Sequence, residues 1–271
     1  MAKRKENRYQ RILGWVFEQH YREGDQSVEW IRDELDQGAD ALGVERVKNL
    51  GDLIYSFRYR YELPAVILDA APEGMQWVIR GAGTAKYRLD LIPAQVRIRP
   101  NPALTVTKIP DATPEIIAAS ALGDEQALLA LVRYNRLIDI FLGVASYSLQ
   151  NHLRTTAKGI GQVEVDEIYV AVDRHGRQFI LPVQAKGGTD EIGITQTEQD
   201  IAACSEKWPT MVCRPISVQF GEDGRIAVFE LVVQDDQVRV RREAHYKLVP
   251  ARDISAADLE SYGLDAGADA P

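Results

Sequence analysis

The chain has 271 residues, 45% of them hydrophobic and 27% charged, a composition that excludes a largely disordered protein, a collagen-like repeat and a disulfide-bonded scaffold. The formal net charge of −8 excludes a uniformly basic nucleic-acid-coating protein, although a local basic face can still bind DNA. Residues 1–110 carry 17 Lys and Arg against 15 Asp and Glu, whereas residues 111–250 carry 14 against 20. A chain of this length predicts two domains, or one large domain with an appendage.

Neither the cysteines nor the apolar segments point to a secreted or membrane protein. Cys204 and Cys213 form no metal-ligand pattern, and we expect them to be reduced thiols. The longest apolar stretch, residues 137–149, is interrupted by Asp139 and is too short to span a bilayer. The basic N-terminus is not followed by the apolar segment of a signal peptide. We therefore expect a cytoplasmic protein with no membrane partner.

Residues 1–95 predict three helices followed by a β-hairpin. Apolar residues recur every three or four positions between Tyr9 and His20, which indicates the first helix. Ser27 is the expected N-cap of the second helix, and the third is expected over residues 45–58. Two β-prone runs, 77–80 and 87–91, flank a glycine-containing loop. This order is that of a winged helix-turn-helix DNA-binding domain.

In such a domain the third helix enters the major groove of DNA. Its polar face is predicted to carry Arg46, Lys48 and Asn49, with Arg58 and Arg60 just beyond. These five residues are therefore candidate DNA contacts. The alternative is a helical domain that serves only packing or dimerisation.

Four prolines mark residues 96–114 as a linker to a second domain over residues 115–250. Residues 251–271 predict an acidic, partly disordered tail. The second domain is expected to contain, in order, a helix at 124–142, a short helical or irregular piece at 146–155, a long hairpin at 161–188, a helix at 195–208 and three strands.

The long hairpin carries a cluster of polar and charged side chains on otherwise apolar strands. Residues two apart on a strand share a face, so Glu164 is expected beside Asp166 and Gln184 beside Lys186. The turn near His175 pairs the two arms and brings these side chains together. Charges on apolar strands usually bind a metal or one another. The sequence therefore predicts a functional site on this hairpin.

The pattern of Asp166, an interval of 18 residues, and Gln184-Ala185-Lys186 resembles the PD-(D/E)XK nuclease superfamily. The similarity covers about 100 residues, and the order of elements over 124–220 is similar too. Val165 stands where the family pattern has proline, and Gln184 where it has an acid. The resemblance implies an α+β or α/β fold class with a restriction-endonuclease-like αβββαβ core and a mixed sheet.

The resemblance also implies Mg²⁺-dependent hydrolysis of phosphodiester bonds. Asp166, the Gln184 side-chain oxygen and the Ala185 carbonyl would be the metal ligands, and hard oxygen donors suit Mg²⁺. Lys186 would position the attacking water and offset charge on the phosphate in the transition state.

Because Gln184 is neutral, a second carboxylate is expected to complete the metal site. Glu164 is the nearest candidate, on the same strand as Asp166, and it would count among the catalytic residues. Glu125 and Asp139 on the preceding helix are the alternatives.

Polar side chains flank the hairpin on both sides and are further candidate DNA contacts. His152 and Arg154 precede it, and Gln196 and Gln199 begin the helix that follows. Each of them has a structural or solvated alternative.

Together these features predict a restriction-type DNA endonuclease that cleaves double-stranded DNA. Cutting both strands with one site per chain is simplest for a homodimer. One alternative is a non-enzymatic winged-helix regulator in which Asp166 and Lys186 form a buried ion pair. Another is a structure-specific repair or recombination nuclease.

Overall fold

The computed structural model describes residues 6–59, 61–94, 98–120, 125–187, 192–221 and 223–265, and the protein is a mixed α+β structure with two sheets. Its helices are α1 (Arg8–His20), α2 (Glu34–Ala41), α3 (Leu50–Tyr59), α4 (Ala65–Asp69), α5 (Glu115–Ser120), α6 (Glu125–Tyr134), α7 (Leu137–Leu142), α8 (Ile194–Lys207) and α9 (Ala256–Asp265). Its strands are β1 (Ser27–Ile31), β2 (Met75–Gly83), β3 (Lys86–Pro93), β4 (Val106–Pro110), β5 (Ala145–Ala157), β6 (Gly161–Val172), β7 (Gln178–Lys186), β8 (Val212–Cys213), β9 (Ile216–Phe220), β10 (Arg225–Gln234) and β11 (Gln237–Val249).

The N-terminal half packs α1 to α4 against an antiparallel sheet of order β1-β3-β2. The first helix starts at a capping box, in which the Asn7 side chain accepts from the backbone of Gln10 and the Gln10 side chain accepts from the backbone of Asn7. Residues such as Phe17, Trp30 and Ile54 fill the core between the helices and the sheet.

Two local predictions for this half are wrong. Ser27 begins strand β1 and caps no helix, because the following residues alternate between exposed and buried with the period of a strand. The third helix begins at Leu50 and not near residue 45. The Asn49 side chain accepts the backbone N–H of Gly51 at 3.1 Å, so it caps the start of α3.

The second half is built on an eight-stranded sheet of order β4-β11-β10-β9-β7-β6-β5, with β8 beside β7. Strands β5, β6 and β7 run antiparallel to their neighbours in this group, and α8 then connects β7 to the parallel strand β9. The proline-rich segment contributes β4, which pairs parallel to β11 at the sheet edge, so part of the expected linker belongs to this sheet.

Two predicted elements of the second half differ in the structure. The helix expected over 124–142 is divided into α6 and α7, because Arg136 adopts a left-handed backbone conformation with φ of 51°. The piece at 146–155, expected to be helical or irregular, lies within the 13-residue strand β5. The expected tail contains helix α9, and residues 266–271 lie outside the described ranges.

Helices cover both faces of the large sheet. Leu181 and Val183 of β7 pack in one hydrophobic cluster with α6 and α7. Ile180, which points to the opposite face, packs in another cluster with Cys204 of α8. Within the described part of the chain, no helix is long and apolar enough to cross a membrane.

The hairpin β2–β3 joins the two halves. Val78 and Ile92 share a hydrophobic cluster with residues of α8, β10 and β11. Arg80 donates two hydrogen bonds to Glu198 of α8, at 2.8 and 2.7 Å. A Cβ atom added to Gly81 would lie 1.5 Å from the Ile160 carbonyl oxygen, so only glycine permits this close approach.

We expect Gly81→Ala to lower the free energy of unfolding by about 1–3 kcal/mol, the usual cost of overpacking, because the added methyl group would collide with the Ile160 backbone. Urea unfolding of the full chain measures the change. Gly193→Ala is the matched control, since a Cβ there has no neighbour within 4 Å and the backbone φ is −94°. Equal stability of the two variants would show that the halves do not meet at Gly81.

Candidate functional site

Strands β6 and β7 separate at the predicted site. Their pairing runs from Val172 to Glu167 on β6 and ends at Glu167 opposite Val183. Beyond this point β6 stays paired with β5, and β7 stays paired with β9 through Lys186. Two hydrogen bonds bridge the opening, from the Ala185 N–H to Asp166 Oδ2 at 2.9 Å and from Gln184 Nε2 to the Glu164 backbone oxygen at 3.4 Å. The separation therefore frees the ends of both strands to present side chains.

The side-chain alternation of β6 shifts by one residue at Asp166. Val163 and Val165 pack in the same cluster as Ile168, on the face that α8 covers. A regular strand would place Ile168 on the face opposite Val165. The neighbouring strand is irregular at the same level, where His152 has a positive φ of 48° and is skipped in the register between β5 and β6.

Gln184 and Lys186 contact α8 beside this opening. Gln184 Nε2 donates to the two carboxylate oxygens of Asp200 at 3.2 and 3.0 Å. Lys186 Nζ donates to Gln196 Oε1 at 2.7 Å. Gln184 Oε1 is buried and has no hydrogen-bond partner among the described residues. The site thus contains a buried amide oxygen that is available to a ligand.

Burial dominates the electrostatics of the two carboxyl groups. It raises the pKa of Asp166, an effect that the Ala185 N–H and the charges of Lys186 and His152 partly oppose. Asp200 is only 2% exposed, and burial raises its pKa well above the ordinary value. The nearby charge of Asp166 raises the pKa of Asp200 further, whereas Gln184 and Lys186 lower it. A bound cation would stabilise the ionised form of both groups.

The Glu164 carboxylate makes its hydrogen bond outside the Gln184 cluster, although its charge raises the pKa of Asp166. Its side chain is exposed and accepts a hydrogen bond from Arg154 at 3.2 Å. Only its backbone oxygen lies near Gln184 Nε2, at 3.4 Å. The role of Glu164 as the second carboxylate of the metal site stays a prediction.

Of the two alternatives for the second carboxylate, the structure describes only the Asp139 side chain. Asp139 accepts hydrogen bonds from the backbone and side chain of Ser146 and from Arg136, away from the Gln184 cluster. The side chain of Glu125 lies outside the described residues.

Asp200 is a second carboxylate beside Gln184, and the sequence analysis missed it. A signal was present: Asp200 lies on the same face of the predicted helix as Thr197, Ala203 and Cys204, all of which are buried. A carboxylate on the buried face of a helix is rare unless it is paired or functional. Asp200 also follows Gln196 by one helical turn, which places both side chains towards β7.

The candidate DNA contacts near the site divide into exposed and buried groups. His152 and Arg154 are exposed on β5, and His152 Nδ1 lies 3.7 Å from Glu164 Oε1. Gln196 is bound to Lys186 within the site. Gln199 is buried, which corrects the expectation that it contacts DNA directly.

The candidate DNA contacts of the N-terminal half lie mostly outside α3. Arg46 and the exposed Lys48 precede the helix, and Arg46 pairs with Asp40. Arg58 is half-buried and donates to the Ile79 carbonyl at 3.1 Å, so it connects α3 to β2. Arg60 lies outside the described residues.

The oxygen atoms of this cluster fit Mg²⁺ better than they fit a metal ion that is held by protein ligands alone. In the described ranges, no group of three or more His, Cys, Asp and Glu side chains is arranged to hold a metal ion. The cluster offers the carboxylates of Asp166 and Asp200 and the unpartnered oxygen of Gln184. Mg²⁺ commonly takes one or two carboxylates and keeps several waters, so these residues fit it.

No protein-family model, curated protein or solved structure matches this chain. The function therefore has to be argued from the site itself.

We expect the free energy of unfolding of Asp200→Asn to fall less with rising pH than that of the unsubstituted protein. A carboxyl group with a raised pKa keeps its proton in the folded chain where the unfolded chain has lost it. Its contribution to stability is therefore complete below the ordinary value of 3.8 and declines as pH rises towards the raised pKa. Urea unfolding at a series of pH values below and above 3.8 measures the slope.

Asp258→Asn is the control of opposite sign. Hydrogen bonds from Ser255 lower the pKa of Asp258 to about 2, so its contribution is lost as pH falls. An Asp200→Asn slope equal to that of the unsubstituted protein would contradict the burial of a protonated carboxyl group at this position.

Proposed function

We propose that the protein is a Mg²⁺-dependent endonuclease that hydrolyses phosphodiester bonds of double-stranded DNA. The observation that carries the proposal is the cluster at the opening between β6 and β7. There Asp166, Gln184 with its free oxygen, the buried Asp200 and the ammonium group of Lys186 come together. Carboxylates with a nearby lysine are the side chains that metal-assisted phosphodiester hydrolysis requires.

The connectivity around the cluster supports the same proposal. Helices α6 and α7 precede the antiparallel strands β5, β6 and β7, and α8 then leads to β9, parallel to β7. With α6 and α7 counted as one helical element and the two-residue β8 left aside, this order is compatible with the αβββαβ core that the resemblance implies. The Gln184-Ala185-Lys186 tripeptide lies at the end of the central strand β7, and Asp166 lies opposite on β6.

Each side chain of the cluster has a separate role in the proposed reaction. Asp166, Asp200 and the Gln184 amide oxygen would hold Mg²⁺, which when bound polarises the scissile phosphate and lowers the pKa of a coordinated water. Lys186 would hold the attacking water and offset the negative charge that develops on the phosphate. Gln196 orients Lys186 through the 2.7 Å hydrogen bond to Nζ.

The alternative of a non-enzymatic regulator required Asp166 and Lys186 to form a buried ion pair. In the structure the hydrogen bond of each residue goes to another group, although the charge of Lys186 lowers the pKa of Asp166. Lys186 instead bonds to a neutral amide, and Asp166 to a backbone N–H. This arrangement favours an active site over a purely structural pair.

We further propose that the N-terminal half is a winged helix that binds duplex DNA. Its order of α1, β1, α2, α3, α4, β2 and β3 and its β1-β3-β2 sheet support this assignment. The loop that carries Arg46 and Lys48 leads into α3 and would contact the phosphate backbone. A homodimer would place one site on each strand for restriction-type cleavage.

We expect Asp166→Ala to abolish Mg²⁺-dependent cleavage, because it removes the carboxylate that no other residue of β6 replaces. Lys186→Ala should slow cleavage by about 100-fold or more, in the range for loss of one group that stabilises transition-state charge. Gel electrophoresis of plasmid and phage DNA incubated with Mg²⁺ or with EDTA measures the extent of cleavage. Lys207→Ala, at an exposed position at the end of α8, is the control. Undiminished cutting by Asp166→Ala would refute the proposed site.

We expect Lys48→Glu to weaken DNA binding by the full chain and to reduce its dependence on salt. A lost phosphate contact lowers the slope of log affinity against log salt by about one. Fluorescence anisotropy with a labelled duplex at several salt concentrations measures both quantities. Lys247→Glu, at an exposed position on β11, makes the same change of charge elsewhere and should leave the slope unchanged. The role of the N-terminal half would be packing if the two variants behaved alike.

A further inference from the structure

The two cysteines of the chain lie together under the C-terminal half of α8. Cys204 is on the buried face of this helix, and Cys213 ends the short strand β8, which α8 contacts. Ile180 of β7 pairs with Cys213 and packs in the same hydrophobic cluster as Cys204. Both thiols are free in the structure. Two reduced cysteines therefore occupy neighbouring elements of one cluster.

Backbone hydrogen bonds fix the positions of both cysteines. The Trp208 N–H donates to the Cys204 carbonyl at 2.8 Å, at the end of α8. The Arg214 N–H donates to the Ile180 carbonyl at 3.0 Å, directly after Cys213. The chain is thus attached to the helix on one side of the pair and to the sheet on the other, so the two backbones are already held close to each other.

The two thiol groups also interact directly. A hydrogen bond with Cys213 is the first cause that raises the pKa of the Cys204 thiol, and burial and the charge of Asp200 raise it further. A hydrogen bond between two thiols makes their sulfur atoms neighbours. Disulfide formation then requires only a short approach to the bond length of about 2.0 Å.

The two thiols differ in their access to solvent. Cys204 is 0% exposed, whereas Cys213 is partly exposed and follows Val212, which is 57% exposed. A small oxidant in solution therefore reaches Cys213 first. Burial and a raised pKa protect Cys204 from reagents in solution. Cys204 can still react with a sulfur atom that is already beside it, because contact replaces diffusion.

We propose that Cys204 and Cys213 are a modification site that hydrogen peroxide converts into a reversible disulfide. Cys213 Sγ attacks one peroxide oxygen, the O–O bond breaks, and the departing hydroxide takes the Cys213 thiol proton and leaves as water. Cys204 Sγ then attacks the sulfur of the Cys213 sulfenic acid, the S–O bond breaks, and the departing hydroxide leaves as water with the Cys204 proton. The two thiols are oxidised, and one peroxide molecule is reduced to two waters.

The disulfide joins α8 covalently to the sheet. Asp200 precedes Cys204 by one helical turn and lies on the same buried face. Oxidation therefore restrains the helix from which Asp200 bonds to Gln184. This consequence concerns the structure of α8 and requires no DNA cleavage, so it is independent of the proposed function.

Treatment of the full chain with hydrogen peroxide, followed by alkylation in urea and peptide mapping without reductant, tests the modification site. We expect one pair of peptides joined through Cys204 and Cys213, an intact mass lower by two hydrogen atoms, and recovery of both thiols in dithiothreitol. Cys204→Ser should stop at a sulfenic acid on Cys213 that dimedone traps. Cys213→Ser should leave Cys204 unmodified. The mapping uses the unsubstituted chain, so it does not depend on the folding of either variant.

Hydrogen exchange of the oxidised and the reduced full chain measures the restraint on α8. We expect the amides of α8 to exchange about tenfold more slowly after oxidation, since a disulfide that closes a short loop commonly stabilises the closed state by at least this factor. The amides of α1, in the N-terminal half, should exchange equally in both forms. Two free thiols after a treatment that fully oxidises added glutathione, or a disulfide between two chains, would overturn the modification site. Linked cysteines with equal exchange of α8 in both forms would overturn the restraint.

Discussion

The separation of β6 from β7 is the constraint on which the candidate site depends. Two antiparallel strands normally satisfy each other's backbone groups along their whole length. Here the pairing stops at Glu167 and Val183, and the Ala185 N–H turns to the carboxylate of Asp166. The side chain of Asp166 thus replaces a backbone acceptor, which fixes its position at the mouth of the opening. Gln184 and Lys186 extend from the freed end of β7 towards α8.

Helix α8 closes the site and also connects the two halves of the protein. Asp200 and Gln196 point from it to the ends of β7. Glu198, between them in sequence, accepts two hydrogen bonds from Arg80 of β2. The same helix therefore holds the buried carboxylate and the contact with the N-terminal half, and Gly81 sets how closely the two halves approach.

Regular periodicity accounts for what the sequence could predict. The apolar strands of the long hairpin, the helix after it and the approach of Asp166 to the Gln184 tripeptide follow from alternation and turn position. The mixed α+β class is confirmed, whereas the winged helix, the nuclease core and Mg²⁺ stay predictions. Within the hairpin, the Glu164 carboxylate bonds to Arg154 while its charge still raises the pKa of Asp166, so its role as the second carboxylate stays a prediction.

The remaining features depend on tertiary structure that a one-dimensional pattern does not contain. The shift at Asp166 occurs together with the positive φ of His152 on the neighbouring strand, and neither strand alone signals it. Strand β5 is exposed on both faces from Tyr147 to His152, so its residues lack the alternation by which strands are recognised. Asp200 becomes a partner of Gln184 only when α8 packs on β7.

Iron-mediated mapping of the metal site tests the central claim most directly. Fe²⁺ replaces Mg²⁺ in the complex with duplex DNA, peroxide and ascorbate generate hydroxyl radicals at the bound iron, and mass spectrometry locates the breaks in the protein backbone. We expect breaks at Asp166, at Gln184 to Lys186 and at Asp200, all of which disappear in Asp166→Ala. Breaks confined to other segments, or an unchanged pattern in Asp166→Ala, would contradict a metal site at the opening between β6 and β7.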